Sequence, residues 1–387
     1  METILKQEFK IDKTNWELVK FGDVAFEPKE TMKDIVSDGI EHVVGLEHIT
    51  SGDIHLRNSA SIDESTTFTK KFAKGDVLFG RRRAYLKKAA VAYFDGICSG
   101  DITVFRAKSN LLPELLPFIV NNDKFFDYAI QHSAGGLSPR VKFKDLANYE
   151  FLLPPKDQQA QLAELLWAMD EVIEREKQVL NSLDTNYECL VNEIYRDNPK
   201  IIKLKNIQLD YFKGISLDDK NDGDYLLAPS GAVFPGYLKK ESLKKVKVDN
   251  DRLLDKIIIK NDILFNTGGV GTLGRSHFFN KENQKYFCDS FVLVIRIKDS
   301  NFLSKFIYYL FQSNLIKNQI IQNTKGTTGI TSISVDGILN FKIPNKKIEY
   351  QEKFVKELDA IENMKFEIEL KLKSSQSLQK SLINQVF

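Results

Sequence analysis

The segment Lys74-Gly75-Asp76-Val77-Leu78-Phe79 returns as Lys260-Asn261-Asp262-Ile263-Leu264-Phe265, 186 residues further along the chain. Each copy is a turn followed by an apolar run, which is typical of a turn that leads into a strand. Other segments repeat in the same order: 19–24 with 202–207, 113–119 with 301–307, 151–154 with 341–344, and Gln159 with Gln351. The offset grows from 183 to 192 and never falls, as small insertions in one copy would produce. We therefore predict a tandem duplication of one folded unit.

Each repeated unit mixes predicted strands and helices. Short apolar runs at 77–79, 102–105 and 291–295 are typical of strands, whereas 115–131 and 303–322 are typical of helices. The predicted fold class is therefore α+β, with two similar globular units at 1–155 and 199–346.

The segments that follow the two units have a different pattern. No Gly or Pro occurs in 156–196, and apolar residues there alternate in steps of four and three, which is a heptad repeat. The predicted stripe consists of Leu162, Leu166, Met169, Ile173, Leu180, Leu183, Tyr187, Leu190 and Ile194, with Glu176 at the one polar position. A less regular stripe in 347–387 consists of Phe354, Leu358, Ile361, Met364, Ile368, Leu372, Leu378, Leu382 and Val386.

We expect 156–198 to form a helix about 55 Å long and 347–387 to form a second one. Neither helix can bury its stripe alone. The simplest arrangement is an antiparallel coiled coil between them, which gives the chain a pseudo-two-fold organisation. The alternative is that each helix packs onto its own globular unit. Glu176 is either a position that fixes the register of the two helices or a solvated interruption.

The charge is distributed unevenly along the chain. The net charge is only +2, but 199–346 carries 23 Lys and Arg against 14 Asp and Glu, whereas 156–198 carries 4 against 10. The second globular unit is therefore predicted to have a polyanionic partner, and the first long helix is a poor candidate for contact with phosphate.

Sequence features exclude several classes of protein. No apolar stretch approaches the ~20 residues of a membrane span. Cys98, Cys189 and Cys288 are isolated, which argues against disulfides and zinc sites and favours a cytoplasmic location. No Gly-Lys-Ser/Thr loop occurs, and the GxGxxG match at 269–274 does not lead into a helix. We expect no catalytic residue, metal site or cofactor in this chain.

Basic loops are the candidate recognition features. Immediately after the 77–79 strand stand Arg81, Arg82, Arg83, Tyr85, Lys87 and Lys88, residue types that read base edges and clamp phosphate. At the equivalent place in the second unit, the loop from Thr267 to Arg275 has an unrelated sequence. A duplicated scaffold with two different loops is what two different half-sites would require. The alternative is a pair of solvated loops.

A second pair of loops lies near the end of each unit. Ser138, Arg140 and Lys142 belong to the first, and Lys325, Thr327 and Thr328 to the second. Hydroxyl, backbone N–H and cationic groups of this kind suit contacts with phosphate. A turn that leads into the last strand explains the glycines equally well, and the two interpretations are compatible.

This layout resembles the specificity subunit of type I restriction–modification systems over nearly the whole chain. The resemblance is carried by 16–24, by the 74–79 segment, by 151–159 at the entry to the first long helix, and by their second-half counterparts. The second half departs from the pattern in two ways: Asn345 stands at the equivalent of Pro155, and the second long helix has a less regular apolar stripe.

The resemblance implies that each unit is a target recognition domain for one half of a bipartite double-stranded DNA site. It implies that the helices set the spacing and dock methyltransferase subunits, expected to be two. S-adenosylmethionine, ATP and magnesium would then belong to partner subunits, including restriction/translocase subunits. The alternatives are an enzyme that acts on DNA by itself, a repeat scaffold that does not bind DNA, and the specificity part of another multi-subunit methyltransferase.

Overall fold

The computed structural model describes residues 11–32, 39–62, 67–196, 198–217, 223–248, 251–282, 285–325 and 331–387. The chain divides into two compact units. Unit 1 comprises Met1–Lys177 and Leu370–Phe387, and unit 2 comprises Gln178–Glu369. Each unit therefore includes part of both long segments that the sequence separates from the globular units. The four segment boundaries expected from the sequence stay predictions.

Unit 1 contains two four-stranded sheets, in the orders β2-β9-β6-β7 and β4-β3-β8-β5, and the antiparallel pair β1-β10. Its strands are β1 (Glu17–Lys20), β2 (Ala25–Phe26), β3 (His42–Val44), β4 (Ala60–Ser61), β5 (Lys70–Phe72), β6 (Val77–Gly80), β7 (Ala89–Val91), β8 (Gly96–Cys98), β9 (Ile102–Ala107) and β10 (Glu150–Leu153). Its short helices are α1 (Phe21–Val24), α2 (Leu116–Val120), α3 (Asp123–Gln131) and α4 (Phe143–Leu146). The first long helix, α5 (Lys156–Glu193), follows.

Unit 2 contains a four-stranded sheet in the order β12-β20-β17-β18, a three-stranded sheet β16-β13-β19, and three strand pairs, β11-β23, β14-β15 and β21-β22. Its first strands are β11 (Ile201–Lys203), β12 (Leu209–Lys213), β13 (Tyr225–Ala228), β14 (Val233–Phe234), β15 (Tyr237–Leu238) and β16 (Lys244–Val246). The others are β17 (Ile263–Asn266), β18 (Ser276–Phe278), β19 (Tyr286–Cys288), β20 (Val292–Ile297), β21 (Thr324–Lys325), β22 (Ser332–Ile333) and β23 (Lys342–Pro344). Its helices are α6 (Ser304–Phe311), α7 (Asn314–Asn323), α8 (Val335–Leu339) and the second long helix, α9 (Ile348–Val386).

The sheet topology confirms the duplication. In unit 1, β6 lies between β9 and β7 in an antiparallel sheet, and in unit 2, β17 lies between β20 and β18 in the same way. Each unit also has one parallel pair, β3 with β8 and β13 with β19. Both units thus have a parallel strand pair at the same place among antiparallel strands. This likeness is specific, so the two units share one α+β fold.

A buried ion pair occurs at the same place in both repeats. Asp76 accepts hydrogen bonds from the Arg106 guanidinium at 2.7 and 2.8 Å and from the backbone N–H of Ala73 at 2.8 Å. Asp262 accepts the equivalent bonds from Arg296, at 2.8 and 2.8 Å, and from Ile259 N–H. Both carboxylates are buried. The repeated aspartate therefore connects the turn before β6 to β9 in unit 1 and the turn before β17 to β20 in unit 2.

A glutamine in the first turn of each long helix makes the same set of hydrogen bonds. The Gln159 side chain accepts from Leu112 N–H and donates to the carbonyls of Asn110 and Pro154. Gln351 makes the equivalent three bonds, with Leu303, Asn301 and Lys346. Both side chains are buried, and each satisfies backbone groups that would otherwise lack partners. The repeat of Gln159 as Gln351 is thus explained by a structural role.

The helices expected at 115–131 and 303–322 are each interrupted. Asn122 accepts a hydrogen bond from Lys124 N–H and caps α3, and Ser313 accepts one from Ile316 N–H and caps α7. Such side chains satisfy free N–H groups at a helix start, and this favours a break over continuation. The predicted helical character of both segments is confirmed, but each segment forms two helices because a polar capping residue interrupts the apolar pattern.

The two long helices run antiparallel within each unit. In unit 1, Gln379 donates to the Leu166 carbonyl and Ser375 to Glu176, at 3.4 and 3.3 Å. In unit 2, Lys365 pairs with Asp184 and lies 5.4 Å from the Tyr187 ring centre. The predicted coiled-coil residues are buried or half-buried: Leu162, Leu166, Met169, Ile173, Leu180, Leu183, Leu358, Ile361, Ile368 and Leu372.

The predicted seam of α9 was wrong at two positions. Met364 and Leu378 are exposed, and the half-buried positions are Lys365, Ser375 and Gln379 instead. The seam continues in steps of three and four through these polar residues, whose aliphatic parts can pack while their polar ends find partners. The Glu176–Ser375 bond makes Glu176 a polar layer of the seam. The alternative of packing onto the globular parts is also realised, since Ala163 and Leu166 of α5 belong to the hydrophobic core of unit 1.

Among the residues that the structure describes, no helix is both long enough and apolar enough to cross a membrane.

Candidate nucleic-acid interface

Two predicted loops of unit 1, 81–83 and 134–141, lie side by side. Arg83 N–H donates to the Pro139 carbonyl at 2.8 Å, and Val141 N–H donates to the Arg81 carbonyl at 3.1 Å. Arg82 and Arg140 are partners in an antiparallel bridge. The loop that leaves β6 and the loop that leaves α3 therefore form one surface, although 58 residues separate Arg82 from Arg140.

Asp101 organises the cationic side chains of this surface. It accepts from Arg82 at 3.1 Å and from Arg140 at 2.7 Å. Arg82 also donates to the Ser138 hydroxyl at 3.0 Å, and Arg83 lies 3.5 Å from the same oxygen. We call Arg82, Arg83, Ser138, Arg140 and Asp101 the arginine cluster.

The cluster combines three guanidinium groups with one carboxylate. Burial alone would raise the pKa of Asp101, but the hydrogen bonds and charges of Arg140 and Arg82 lower it below its ordinary value. Asp101 therefore stays ionised and orients two guanidinium groups without neutralising the third. Oriented guanidinium groups are the side chains that bind guanine edges and phosphate in a bidentate way.

The other predicted residues of unit 1 have different environments. Tyr85 and Lys142 are exposed. Arg81 is half-buried, and its Nε has no hydrogen-bond partner in the described part of the chain. Lys87 pairs with Asp123 at 2.5 Å, and Lys88 donates to the Leu46 carbonyl at 2.7 Å, so both lysines are held by unit 1 itself.

The equivalent loops of unit 2 also meet. Gly268 bridges to Ser332, Ile333 N–H donates to the Thr267 carbonyl at 2.9 Å, and Gly269 N–H donates to Thr331 at 3.3 Å. Lys325 pairs with Ser332 in the strand pair β21-β22. Thr327 and Thr328 lie outside the described residues. The backbone therefore brings the two predicted loops of unit 2 together as it does in unit 1.

Of the predicted side chains of unit 2, Thr267 is buried, and Arg275 is stacked on an aromatic ring. Thr267 is buried, and its hydroxyl donates to the Phe291 carbonyl at 2.9 Å. The Arg275 guanidinium lies 4.4 Å from the centre of the Phe234 ring, which in turn stacks on Tyr237 at 5.0 Å and 7°. Such a stack limits the freedom of an arginine and keeps it available to a ligand.

Sequence reasoning missed several residues at these loops. Asp101 and Phe291 occupy the same place in the two units, because Arg81 N–H donates to the Asp101 carbonyl and Thr267 N–H to the Phe291 carbonyl. Leu137, at 97% exposure, and Val270, at 78%, are at the loop tips. The adjacent glycines, Gly136 before Leu137 and Gly269 and Gly271 around Val270, were the only signal for the two aliphatic residues. Nothing in the sequence placed Asp101 beside the arginines.

The described residues contain no group of three or more His, Cys, Asp or Glu side chains that could hold a metal ion.

The chain matches a protein-family model described as the type I restriction modification DNA specificity domain. The model matches twice, at residues 13–185 and 200–375, so the two matches follow the internal duplication. Among curated proteins, the specificity subunit of the type I restriction enzyme EcoDI from Escherichia coli is 28% identical over 174 residues. That match covers 44% of this chain and 38% of the relative, so it spans well under half of either protein.

Solved structures share the fold. The S subunit of a type I restriction–modification system from M. genitalium matches with a TM-score of 0.62 at 13% identity, over 99% of this chain and 98% of that one. A chain from a structure on complex assembly and conformational transition of the type I R-M system matches with a TM-score of 0.57 at 18% identity, over 96% of both chains.

Proposed function

We propose that this chain, which belongs to the type I restriction modification DNA specificity family, reads the sequence of double-stranded DNA for a multi-subunit complex. Each unit contacts one half of a bipartite site through its pair of adjacent loops. The chain itself carries out no chemistry, and it works in the cytoplasm together with its partner subunits.

One observation carries this proposal: the two units place different side chains on the same backbone framework. Arg82, Arg140 and Asp101 of the arginine cluster stand where unit 2 has Gly268, Ser332 and Phe291. A protein that bound one ligand twice would gain from two similar loops. Different loops on a shared scaffold suit two different base sequences, because phosphate contacts position a protein and base contacts specify the site.

The long helices are proposed to set the distance between the half-sites and to dock two methyltransferase subunits. Leu165 and Val172 support a docking role. They lie seven residues apart on α5, outside the predicted seam, and both are exposed. Apolar residues at this spacing form a stripe along one face of a helix, which suits another helix.

The partner subunits are proposed to supply the chemistry. Methylation needs S-adenosylmethionine in the methyltransferase subunits, and restriction needs ATP and magnesium in the restriction/translocase subunits. This chain contributes the position of the complex on DNA and no cofactor site.

Sequencing of methylated DNA from cells tests the proposal. Cells with this chain and its methyltransferase subunits are expected to methylate a bipartite motif that is absent when the chain is deleted. A gel-shift with the purified complex is expected to show tighter binding to that motif than to a scrambled duplex. Methylation by the purified chain alone would contradict the non-catalytic role, and an unchanged methylome after deletion would contradict the function.

A further inference from the structure

Unit 2 exposes two large apolar side chains where unit 1 has its arginine cluster. Val270 is 78% exposed and Phe291 is 53% exposed. We call these two residues the apolar pair. Exposed apolar surface gains free energy when a partner buries it, by about 25 cal/mol for each Å². Single exposed residues are ordinary, but one in the loop after β17 and one beside the start of that loop are a reason to ask what covers them.

The loop is built to present Val270. Its neighbours Gly269 and Gly271 have φ angles of +106° and +69°, a backbone conformation that other residues rarely adopt. Gly268, at the start of the loop, lies beside Phe291, since a Cβ at Gly268 would be in ordinary contact with the Phe291 ring, at 3.5 Å, and with Ser332, at 3.4 Å. Val270 therefore stands between two backbone positions that favour glycine, and Phe291 lies beside the start of the same loop.

The backbone fixes the place of Phe291 relative to the repeat. The hydrogen bond from Thr267 N–H to the Phe291 carbonyl, at 2.8 Å, is the counterpart of the bond from Arg81 N–H to the Asp101 carbonyl, at 3.0 Å. Phe291 thus stands where Asp101 stands in unit 1. If the proposed function is correct, the apolar pair faces the same kind of ligand as the arginine cluster.

We propose that Val270 and Phe291 contact the 5-methyl groups of thymines in the half-site that unit 2 reads, and so help to specify that half-site. The inference rests on the proposed function and names the base chemistry of one site. The thymine methyl is the apolar feature of the major-groove edge, and small apolar or aromatic side chains recognise it. The excess of basic residues in 199–346, 23 against 14 acidic, favours DNA over an acidic protein surface as the occupant.

Uracil substitution tests the contact directly, because uracil lacks only the 5-methyl group. The probe is a duplex that carries the methylated motif, bound by the full chain with its methyltransferase subunits. Replacing a contacted thymine in the second half-site by uracil is expected to weaken binding about fourfold, as expected for one lost methyl contact. Val270→Ala and Phe291→Ala are expected to weaken binding and to remove most of this sensitivity to uracil. Uracil in the other half-site is expected to weaken binding equally in the wild type and in both variants.

Tyr211→Ala is the matched control, because Tyr211 is an exposed aromatic residue on β12 of the same sheet. It is expected to keep the uracil sensitivity of the wild type. A second half-site without thymine, or equal uracil sensitivity in the variants and the wild type, would overturn the inference. Loss of the methyltransferase subunits from the variants, with uracil sensitivity unchanged, would also overturn it by assigning the apolar pair to a protein interface.

The failure of the proposed function has a different signature. In that case the wild-type complex binds the motif and a scrambled duplex equally, before any thymine is replaced, and the inference falls with it.

Discussion

The loops of unit 1 and unit 2 share a backbone and differ in chemistry. In unit 1, Arg82 and Arg140 donate to Asp101, so the surface is ionic. In unit 2, the residues at the matching places are Gly268, Ser332 and Phe291, none of which is charged. The backbone bonds that join the loops are nevertheless equivalent. Exposed side chains can therefore change completely while the bonds that hold the loops together are kept.

The buried parts of the two units show the opposite behaviour. The ion pairs Asp76–Arg106 and Asp262–Arg296 match each other, and so do the bonds of Gln159 and Gln351. A buried polar group without its partner costs free energy, so these positions tolerate little change. The comparison predicts that changes in the buried set alter stability, whereas changes in the loops alter sequence preference.

The largest expected effect is at Asp262. Its carboxylate is fully buried, so Asp262→Ala leaves the Arg296 guanidinium without its main partner. Breaking a buried pair in this way costs about 3–5 kcal/mol. Hydrogen exchange followed by mass spectrometry, which reports each unit separately, is expected to show this loss in unit 2 and little change in unit 1.

The equivalent change in unit 1 sharpens the comparison. Asp76→Ala is expected to cost less, because Arg106 is more exposed than Arg296 and keeps Glu30 at 3.0 Å. Asp210→Ala is the control, since Asp210 is exposed on the neighbouring strand β12 and its pair with Lys298 is long, at 3.8 Å. Equal losses for Asp210→Ala and Asp262→Ala would contradict the structural role of the buried pair.

The second prediction concerns the arginines of unit 1. The triple variant Arg81→Ala, Arg82→Ala, Arg83→Ala is expected to relax the first half-site and leave the second unchanged. An arginine that reads a base contributes about 1–3 kcal/mol of discrimination, whereas one on phosphate weakens binding to all sequences equally. Methylome sequencing shows which positions relax, and salt titration of binding separates the two roles.

A matched exposed arginine provides the control for the second prediction. Arg196 lies just beyond α5, and its only ion pair in the described part of the chain is with the nearby Glu193. Arg196→Ala is expected to leave the motif unchanged. If the triple variant methylates the same motif with the same affinity, Arg81, Arg82 and Arg83 are not DNA contacts.

The third prediction uses a buried histidine that only unit 2 has. His277 lies opposite Leu264, whereas the residue opposite the equivalent Leu78 is Ala90. Burial, and then the charge of Lys281, lower the pKa of His277 to about 4, and a hydrogen bond with the Phe234 backbone raises it by less. As the pH falls, His277 takes up a proton in the unfolded chain near the ordinary histidine pKa of about 6.5, whereas in the folded chain it does so only at lower pH. Stability from His277 is therefore complete above the ordinary pKa and is lost as the pH falls towards 4, by about 2 kcal/mol at pH 5.

Denaturation at pH 7.5 and pH 5.0 measures this effect against a variant. His277→Gln keeps a polar side chain and cannot titrate, so unit 2 of the variant is expected to lose less stability on acidification than unit 2 of the wild type. Unit 1, with Ala90 at this place, is expected to respond alike in both proteins. An identical loss for the wild type and the variant would show that other groups control the acid response.

The sequence predicted the buried framework better than the loops. Asp76 and Asp262 could be aligned because each belongs to a short, contiguous turn-and-strand pattern. The seam of α5 was recognised because its apolar residues recur at regular spacing. Lys365, Ser375 and Gln379 of α9 were missed, because a search for apolar residues cannot find the polar residues of a seam. Asp101 and Phe291 were missed because only the tertiary fold brings the start of β9 or β20 beside the loops.

The smallest expected effect on the sequence preference of the two units comes from lengthening the long helix α5. Inserting one turn, about 4 residues, near Ser182 lengthens α5 by roughly 6 Å and is tolerated by a heptad seam as a local change of supercoil. At about 3.4 Å for each base pair, the motif is expected to gain one to two base pairs of spacer. Both half-site sequences are expected to stay the same, because the loops that read them are not touched.

A second variant with a matching turn inserted in α9 near Glu369 restores the balance of the two helices and serves as the control for the seam. The methylome of cells with either variant gives the spacer directly. An unchanged spacer in an active variant would refute the role of the helices in setting the distance. A changed half-site would show that the two units do not read independently, and the contrast between a common framework and separate loops would then need a different explanation.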